Sequence, residues 1–291
     1  MKKMYLLLAL LLGATQAMAA PPLKFCSGQP GGYYEKLASE IGRNITKDTG
    51  SELTILNTGG SVENAEKMQD RECDIALIQS DVATGLGLRD VKIVDAHEET
   101  VFWLHGKTGV ADFGKMENDT IAKKYATATV KGSGASVTMA NWIKTDKDYE
   151  GVRVVELDDW AEAAEAVAQG YVVRAGVRYE IAGMLYIGRT VSTDIMEDFG
   201  SQIFVGEVND NSFEASKDAN NNPLYTPCTV PKAKRGGLNT STSFSDPDTY
   251  CLKAQVVFNN DYLTGVDGKE ARKVRKAVAK GINSTVKLVR T

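Results

Sequence analysis

Histidine is nearly missing from this chain: His97 and His105 are the only two in 291 residues. So small a supply leaves little from which to build a histidine-based metal site, and neither a metal nor a cofactor is expected. Cysteine is scarce too, at four, and no two form a CxxC pair, which argues against a zinc site or a redox dithiol. Positive charge is not in excess: 34 Lys+Arg stand against 38 Asp+Glu, a net charge of −4. A nucleic-acid surface would need clustered basic charge, so none is expected. No apolar run is long enough to span the ~30 Å of hydrocarbon in a bilayer. Catalytic signatures are also lacking. There is no GxSxG elbow and no Walker A loop, and Gly132-Ser133-Gly134-Ala135-Ser136-Val137 lacks the third glycine of a dinucleotide fingerprint. No enzyme is expected.

The chain opens on a short basic head, Met1-Lys2-Lys3, followed by an apolar run from Met4 to Gly13 and the small-x-small triplet Ala17-Met18-Ala19. That order reads as a secretory signal peptide over residues 1–19, cleaved near Ala19, and it points to a periplasm. Export gives the cysteines a meaning. An even number in an oxidising compartment suggests structural disulfides, and Cys26, Cys73, Cys228 and Cys251 allow three pairings. Cys228–Cys251 is favoured, because it would close a loop rich in Gly, Ser, Thr, Asn and Pro. Cys26 and Cys73 would then pair or remain as buried thiols.

Strand–loop–helix units recur along the chain. Leu23–Cys26 reads as a strand, and apolar Tyr33, Leu37, Ile41 and Ile45 give the next helix one buried face, ended by Gly50. Leu53–Leu56 is a second strand, with Ser61 as a good N-cap for the helix beyond it. Asp74–Gln79 is a third. A second set of units follows at Ala126–Val130 and Val152–Leu157, with Asp159 to Glu162 as a capping box and Gly170 as a helix end. Val101–Leu104 reads as a connecting strand, and Phe213–Asp248 as a long polar loop. Leu252–Phe258 is a late strand, and a helix from about Lys269 to Leu288 closes the chain. Strands alternating with helices imply a mostly parallel α/β sheet.

Three Gly/Ser loops meet helix N-termini just after strands, at Ser27–Gly32, Thr58–Ser61 and Gly132–Ser136. Each offers backbone N–H groups and the positive end of a helix dipole. Together they point to a shared anion cleft at the strand C-termini. Of the consecutive Tyr33 and Tyr34, one should face the core and the other the cleft. His97 and His105 read as structural, Asp158-Asp159 as a helix start, and Lys232, Lys234 and Arg235 as solvated charge.

The run Thr58-Gly59-Gly60-Ser61-Val62-Glu63-Asn64, with Asp74-Ile75-Ala76-Leu77-Ile78-Gln79-Ser80-Asp81-Val82-Ala83 after it, resembles the TAXI family of TRAP-associated extracytoplasmic solute receptors. Ser27–Tyr34 is similar to that family's first glycine-rich loop, and Gly132–Thr138 to its GSGxxxT loop. The resemblance implies a type II periplasmic-binding-protein fold, two α/β lobes with a ligand cleft between them. The expected boundaries are 20–103 for the first part of lobe one, 104–206 for lobe two, and 207–291 for a return to lobe one. It further implies a monomeric receptor that hands a small carboxylate, glutamate or a related dicarboxylate, to the membrane subunits of a TRAP transporter. The matching ligand positions are Tyr34, Ser61, Asn64, Gln79, Ser80, Asp81, Ser133, Ser136 and Thr138. After Gly170 the chain departs from the family pattern and carries Arg174 and Arg178. Arg178 is a candidate carboxylate clamp, with a surface or ion-paired role as the alternative for both. A periplasmic sensing module and an exported enzyme on the same fold are the competing functions.

Overall fold

The computed structural model describes residues 21–241 and 245–290, so the leader expected at residues 1–19 lies outside the described residues. In chain order the elements are β1 (Leu23–Cys26), α1 (Tyr33–Thr49), β2 (Leu53–Leu56), α2 (Ser61–Gln69), β3 (Ile75–Gln79), α3 (Ser80–Gly85) and β4 (Val91–Gly106). Next come α4 (Asp119–Lys124), β5 (Tyr125–Val130), α5 (Gly134–Thr145), β6 (Arg153–Leu157), α6 (Trp160–Gln169), β7 (Tyr171–Arg174) and β8 (Val177–Gly188). The remainder is α7 (Thr193–Phe199), β9 (Ile203–Val205), β10 (Thr226–Thr229), β11 (Asn239–Thr240), β12 (Asp248–Asn259) and α8 (Gly268–Arg290).

One sheet in the order β2-β1-β3-β12-β4-β8-β5-β6 runs through the whole molecule. Its first half is lobe one. There β1 lies parallel to β2 and β3, and the returning β12 is antiparallel to both β3 and β4. Alternation decides which side chains go to which face. Leu23, Phe25, Ile75 and Leu77 pack with α1 and α8, whereas Cys26, Ala76 and Ile78 pack with α2 and α3. Lobe two is built on β4, β8, β5 and β6. Ala126, Ala128 and Val130 face the Ala-rich α6, and the opposite face meets Trp142 and Met139 of α5.

β4 joins the halves. It is sixteen residues long, and the expected connecting strand at Val101–Leu104 is its second half. Residues up to Thr100 pair with β12, and Thr100–Leu104 pair with β8. Near the crossing, Ala254 lies opposite His97 while Gln255 lies opposite Asp95, a shift in register. Such irregularities bend a strand and re-aim its side chains.

Two expectations about the chain's later part are revised. The stretch 213–248 holds β10 and β11, and it puts Phe213 flat on Trp142 at 4.3 Å between ring centres and Tyr225 edge-on to the same ring at 5.8 Å. Composition hid this, because a few buried aromatic rings can anchor a polar loop. That packing also sets the start of the 207–291 segment against α5 of lobe two rather than in lobe one. Both Cys228–Cys251 and Cys26–Cys73 are disulfides. The first ties β10 to β12 and the second ties β1 to the turn before β3. No helix among the described residues is long and apolar enough to cross a membrane.

Candidate functional site

The three Gly/Ser loops follow β1, β2 and β5, and all three converge on one cavity of about 440 Å³. Gly28–Gly32, Gly59–Ser61 and Ser133–Ala135 line it, together with Asp159–Ala161 at the start of α6 and the segment after β8. Asn64 positions the lobe-one loops. Its amide donates to the Ser27 and Leu77 carbonyls at 2.6 and 2.7 Å and accepts from the Thr58 hydroxyl at 2.6 Å, so the ends of β1 and β3 and the second loop are tied together. The lobes touch here. Val62 N–H donates to the Gly132 carbonyl at 3.2 Å. A Cβ on Gly59 would lie 3.2 Å from the Lys131 carbonyl oxygen, and Gly60 has φ +135°, so the approach requires glycine at both.

Several donors of these loops are spent on the protein itself. Gly31 N–H donates to Glu35 at 2.6 Å, Gly59 N–H to Glu63 at 2.7 Å, Gly60 N–H to Thr58 Oγ1 at 3.3 Å and Ser133 N–H to the Val130 carbonyl at 3.1 Å. Backbone charge for an anion is therefore partly committed in the two lobe-one loops. The N-cap of α2 is Gly60, not Ser61, whose hydroxyl instead accepts from Gln79 N–H at 3.1 Å.

Glu99 on the crossing strand β4 and Arg189 just past the end of β8 bring opposite charges to the cavity, which the exposed Asp159, Asp194 and Asp198 also line. Glu99 of β4 is 3% exposed. It accepts from Tyr34 Oη at 3.1 Å and from Gln79 Nε2 at 3.3 Å, and His97 Nε2 lies 3.3 Å from its other oxygen. Arg189, just past β8, donates to Tyr33 Oη at 2.6 Å and lies over that ring at 4.9 Å. Consecutive tyrosines at the start of α1 thus hold the cleft's carboxylate and its guanidinium. Burial, and then the Glu99 charge, push the Tyr34 hydroxyl well above its ordinary pKa, so it stays a donor. The same two causes push Tyr186 up to about 12.

The residues expected to bind ligand divide into two groups. Tyr34, Ser61, Gln79 and Ser133 line the cavity. Asn64, Ser80, Asp81, Ser136 and Thr138 are not among its lining residues. Asn64 is the knot described above, Ser80 Oγ accepts from Lys253 N–H at 3.4 Å, and Ser136 Oγ bonds back to the Ser133 carbonyl at 2.8 Å. Asp81 and Thr138 are fully buried and bond to each other at 2.6 Å, with Tyr225 Oη on the same carboxylate at 2.9 Å. Arg178, too, is not among the lining residues. It sits on the β7–β8 hairpin, pairs with Glu180 at 2.8 Å and stacks on Tyr171 at 3.7 Å. Arg174, on the same hairpin, pairs with Glu162.

Sequence reasoning missed Glu99, Arg189 and Tyr33 as polar groups of the cleft, and it left His97 aside as structural. One signal was available. Arg189 follows directly on the apolar end of a strand, where open α/β sheets place their ligands. Glu99 gave none, since a charged residue in a strand is ordinarily solvent-facing.

Glu117, Asp146 and Asp210 bring carboxylate oxygens within 4.8 Å of one another, the one cluster among the described residues with metal-ligand spacing. Burial and the neighbouring Asp210 raise the Glu117 pKa, and Tyr149 Oη donates to Asp210 at 2.6 Å. Tyr149 Oη also lies 3.3 Å from Glu117, and Asp146 accepts from Asp148 N–H at 2.9 Å, so each of these acids has a hydrogen-bond partner within the protein.

No protein-family model and no curated protein matches the chain. Solved structures do match in shape. The GluR0 ligand-binding core in complex with L-glutamate superposes with a TM-score of 0.50 at 11% identity, covering 94% of this chain and all of that one. The Synechocystis PCC6803 CcmR regulatory domain in complex with 2-PG gives 0.49 at 13% identity, covering 91% and 98%. The GluR0 core from Nostoc punctiforme gives 0.48 at 9%, covering 92% and 97%. At such identities the likeness concerns the fold, and it rests on the first of the three. Two α/β lobes, strands that run from one to the other and a cavity between them make this a type II periplasmic-binding-protein fold.

Proposed function

We propose that the protein is an extracytoplasmic solute receptor that encloses one small organic ligand between its lobes. The observation that carries this reading is the cavity itself: three glycine loops and the crossing strand β4 meet there, and a buried carboxylate and a half-buried guanidinium share it. Aromatic walls from Tyr33, Tyr34, Trp160 and Tyr186 suit a ligand with a short carbon skeleton. Two disulfides fit an oxidising compartment, in line with a periplasmic location. The loop motifs that resemble the TAXI family support delivery to a TRAP-type membrane transporter, and lobe closure gives the membrane subunits a shape to read. L-glutamate is described bound to the GluR0 core. That is a property of that protein, and it puts glutamate and related dicarboxylates first among compounds to try here.

Thermal melting of the ligand-stripped, oxidised protein against amino acids, dicarboxylates, phosphate and sugars tests the reading. A true ligand at 100 times its Kd adds about 2.7 kcal/mol to the folded state, a shift of several degrees. A flat response across the panel would remove the receptor reading.

A further inference from the structure

The charges in the cleft go further than a generic carboxylate site. In the two lobe-one loops, Gly31, Gly32, Gly59 and Gly60 have their N–H groups bonded within the protein, so they offer an anion less than their glycine content suggests. What is left for a ligand includes acceptors. Glu99 is buried among residues that line the cavity, and among the described residues its ion-pair partner is His97 alone. Gln79, 5% exposed, holds a side-chain oxygen with no hydrogen-bond partner, while its Nε2 is turned toward Glu99. At the cavity's edge stand three more carboxylates, Asp159, Asp194 and Asp198. Against these the lining carries one cation, Arg189, and apart from the bond to Tyr33 no ion pair or hydrogen bond of its guanidinium exists among the described residues.

A buried carboxylate costs free energy unless it is paired with a cation and hydrogen-bonded. Tyr34 and Gln79 supply hydrogen bonds and hold the carboxylate in place, yet neither brings a formal charge. A dianion would face Glu99 with only the His97 imidazole near enough to offset it, and a simple amine would leave Arg189 facing a like charge. A ligand that carries both signs satisfies both.

We propose that the cleft binds a zwitterionic amino acid, its ammonium group on Glu99 and its carboxylate on Arg189, and so rejects the corresponding acid that lacks the amine. This rests on the receptor reading and names its ligand class.

The test compares matched pairs that differ only in the α-amine: L-glutamate with glutarate, L-leucine with 4-methylpentanoate, L-arginine with 5-guanidinopentanoate. Affinities are measured by calorimetry on the intact, disulfide-bonded protein. For whichever pair binds, the amino acid should win by ~100-fold or more, because a site built to bond an N–H leaves buried acceptors unpaired when it is missing. Glu99→Gln should collapse that ratio toward one while leaving the deamino acid nearly unaffected. Glutarate binding as well as glutamate, or an undiminished ratio in a folded Glu99→Gln variant, would overturn the ammonium site and leave the receptor standing. The wild-type ratio decides the matter even if the variant fails to fold. Silence from all six compounds would overturn both.

Discussion

Thr138 donates its hydroxyl to the carboxylate of Asp81 at 2.6 Å, and in doing so α5 of lobe two grips α3 of lobe one. Tyr225 Oη reaches the same carboxylate at 2.9 Å, and Asn141 Nδ2 bonds Tyr225 in turn at 3.1 Å. A polar network with no exposure at its centre is costly to break, because each lost partner strands a buried group. The pair is therefore a latch beside the ligand cavity.

The latch should respond to pH. Burial outweighs the hydrogen bonds from Thr138, Tyr225 and the backbone and raises the Asp81 pKa above its ordinary 3.8. The native state then holds this proton more tightly than the unfolded chain does. Asp81 thus favours the folded form below about pH 3.8 and withdraws that contribution as pH climbs through the raised native value. Melting curves of wild type and Asp81→Asn from pH 3.5 upward should show wild type losing ground to the variant; a constant gap would place the Asp81 titration elsewhere.

Thr138→Val keeps the shape of the side chain and removes the donor. It should cost about 1–3 kcal/mol in denaturant unfolding, with little effect on ligand affinity once the protein is folded. A large affinity loss without a stability loss would instead put Thr138 in direct touch with ligand.

Gly134 opens α5 directly under Gln79. A Cβ there would lie 1.6 Å from the Gln79 side-chain oxygen, so Gly134→Ala must swing that amide away. The displaced group is the tip of a flexible side chain, and unfolding free energy should change by less than about 1 kcal/mol. Affinity for the bound amino acid should fall at least tenfold, since Gln79 would no longer hold Glu99 in place. Titration of the variant against wild type reads both quantities.

Arginines separate the cleft from the surface. Arg189→Met should weaken binding of any carboxylate more than tenfold, because it removes the cavity's cation. Arg178→Ala should leave affinity and melting temperature unchanged, as loss of an exposed ion pair generally does. Reversed results would return the clamp to the β7–β8 hairpin.

The disulfides differ in the length of loop they close. Cys228–Cys251 spans 23 residues and Cys26–Cys73 spans 47. On the chain-entropy argument, paired serine substitution should cost about 3 kcal/mol for the shorter loop and about 4 kcal/mol for the longer. Urea unfolding of the two double-serine variants checks the order.

Much of this architecture could be read before any coordinates. The strands at Leu23, Leu53 and Ala126, the helix ends at Gly50 and Gly170 and the capping box at Asp159 all depend on short-range rules, and short-range rules are written in neighbouring residues. The three glycine loops were also legible, and they do share a cavity. The occupancy of their donors was not, because Gly132 and Val62 meet only after two distant segments are packed. Thr138 and Asp81 looked like ligand groups for the same reason: a hydroxyl and a carboxylate near helix starts serve equally well in a latch. Arg178 drew attention as a charge and lies on the β7–β8 hairpin outside the cavity's lining, while Glu99 sat unremarked inside a strand whose partner β12 arrives some 150 residues later.

The position of β12 between β3 and β4 has a consequence for how the molecule comes into being. A chain emerging from its N-terminus makes β3 early, yet the neighbour that covers its free edge does not exist until residues 248–259 have been made, nor does α8, which packs on α1. Until then the growing chain carries an open strand edge and an uncovered apolar helix face, both of which invite misassociation. Lobe two has most of its sheet in one continuous stretch and has no such wait. Lobe one therefore cannot complete its sheet until the chain is nearly finished, and a fragment cut short before residue 248 is left with an uncovered edge rather than with a finished lobe.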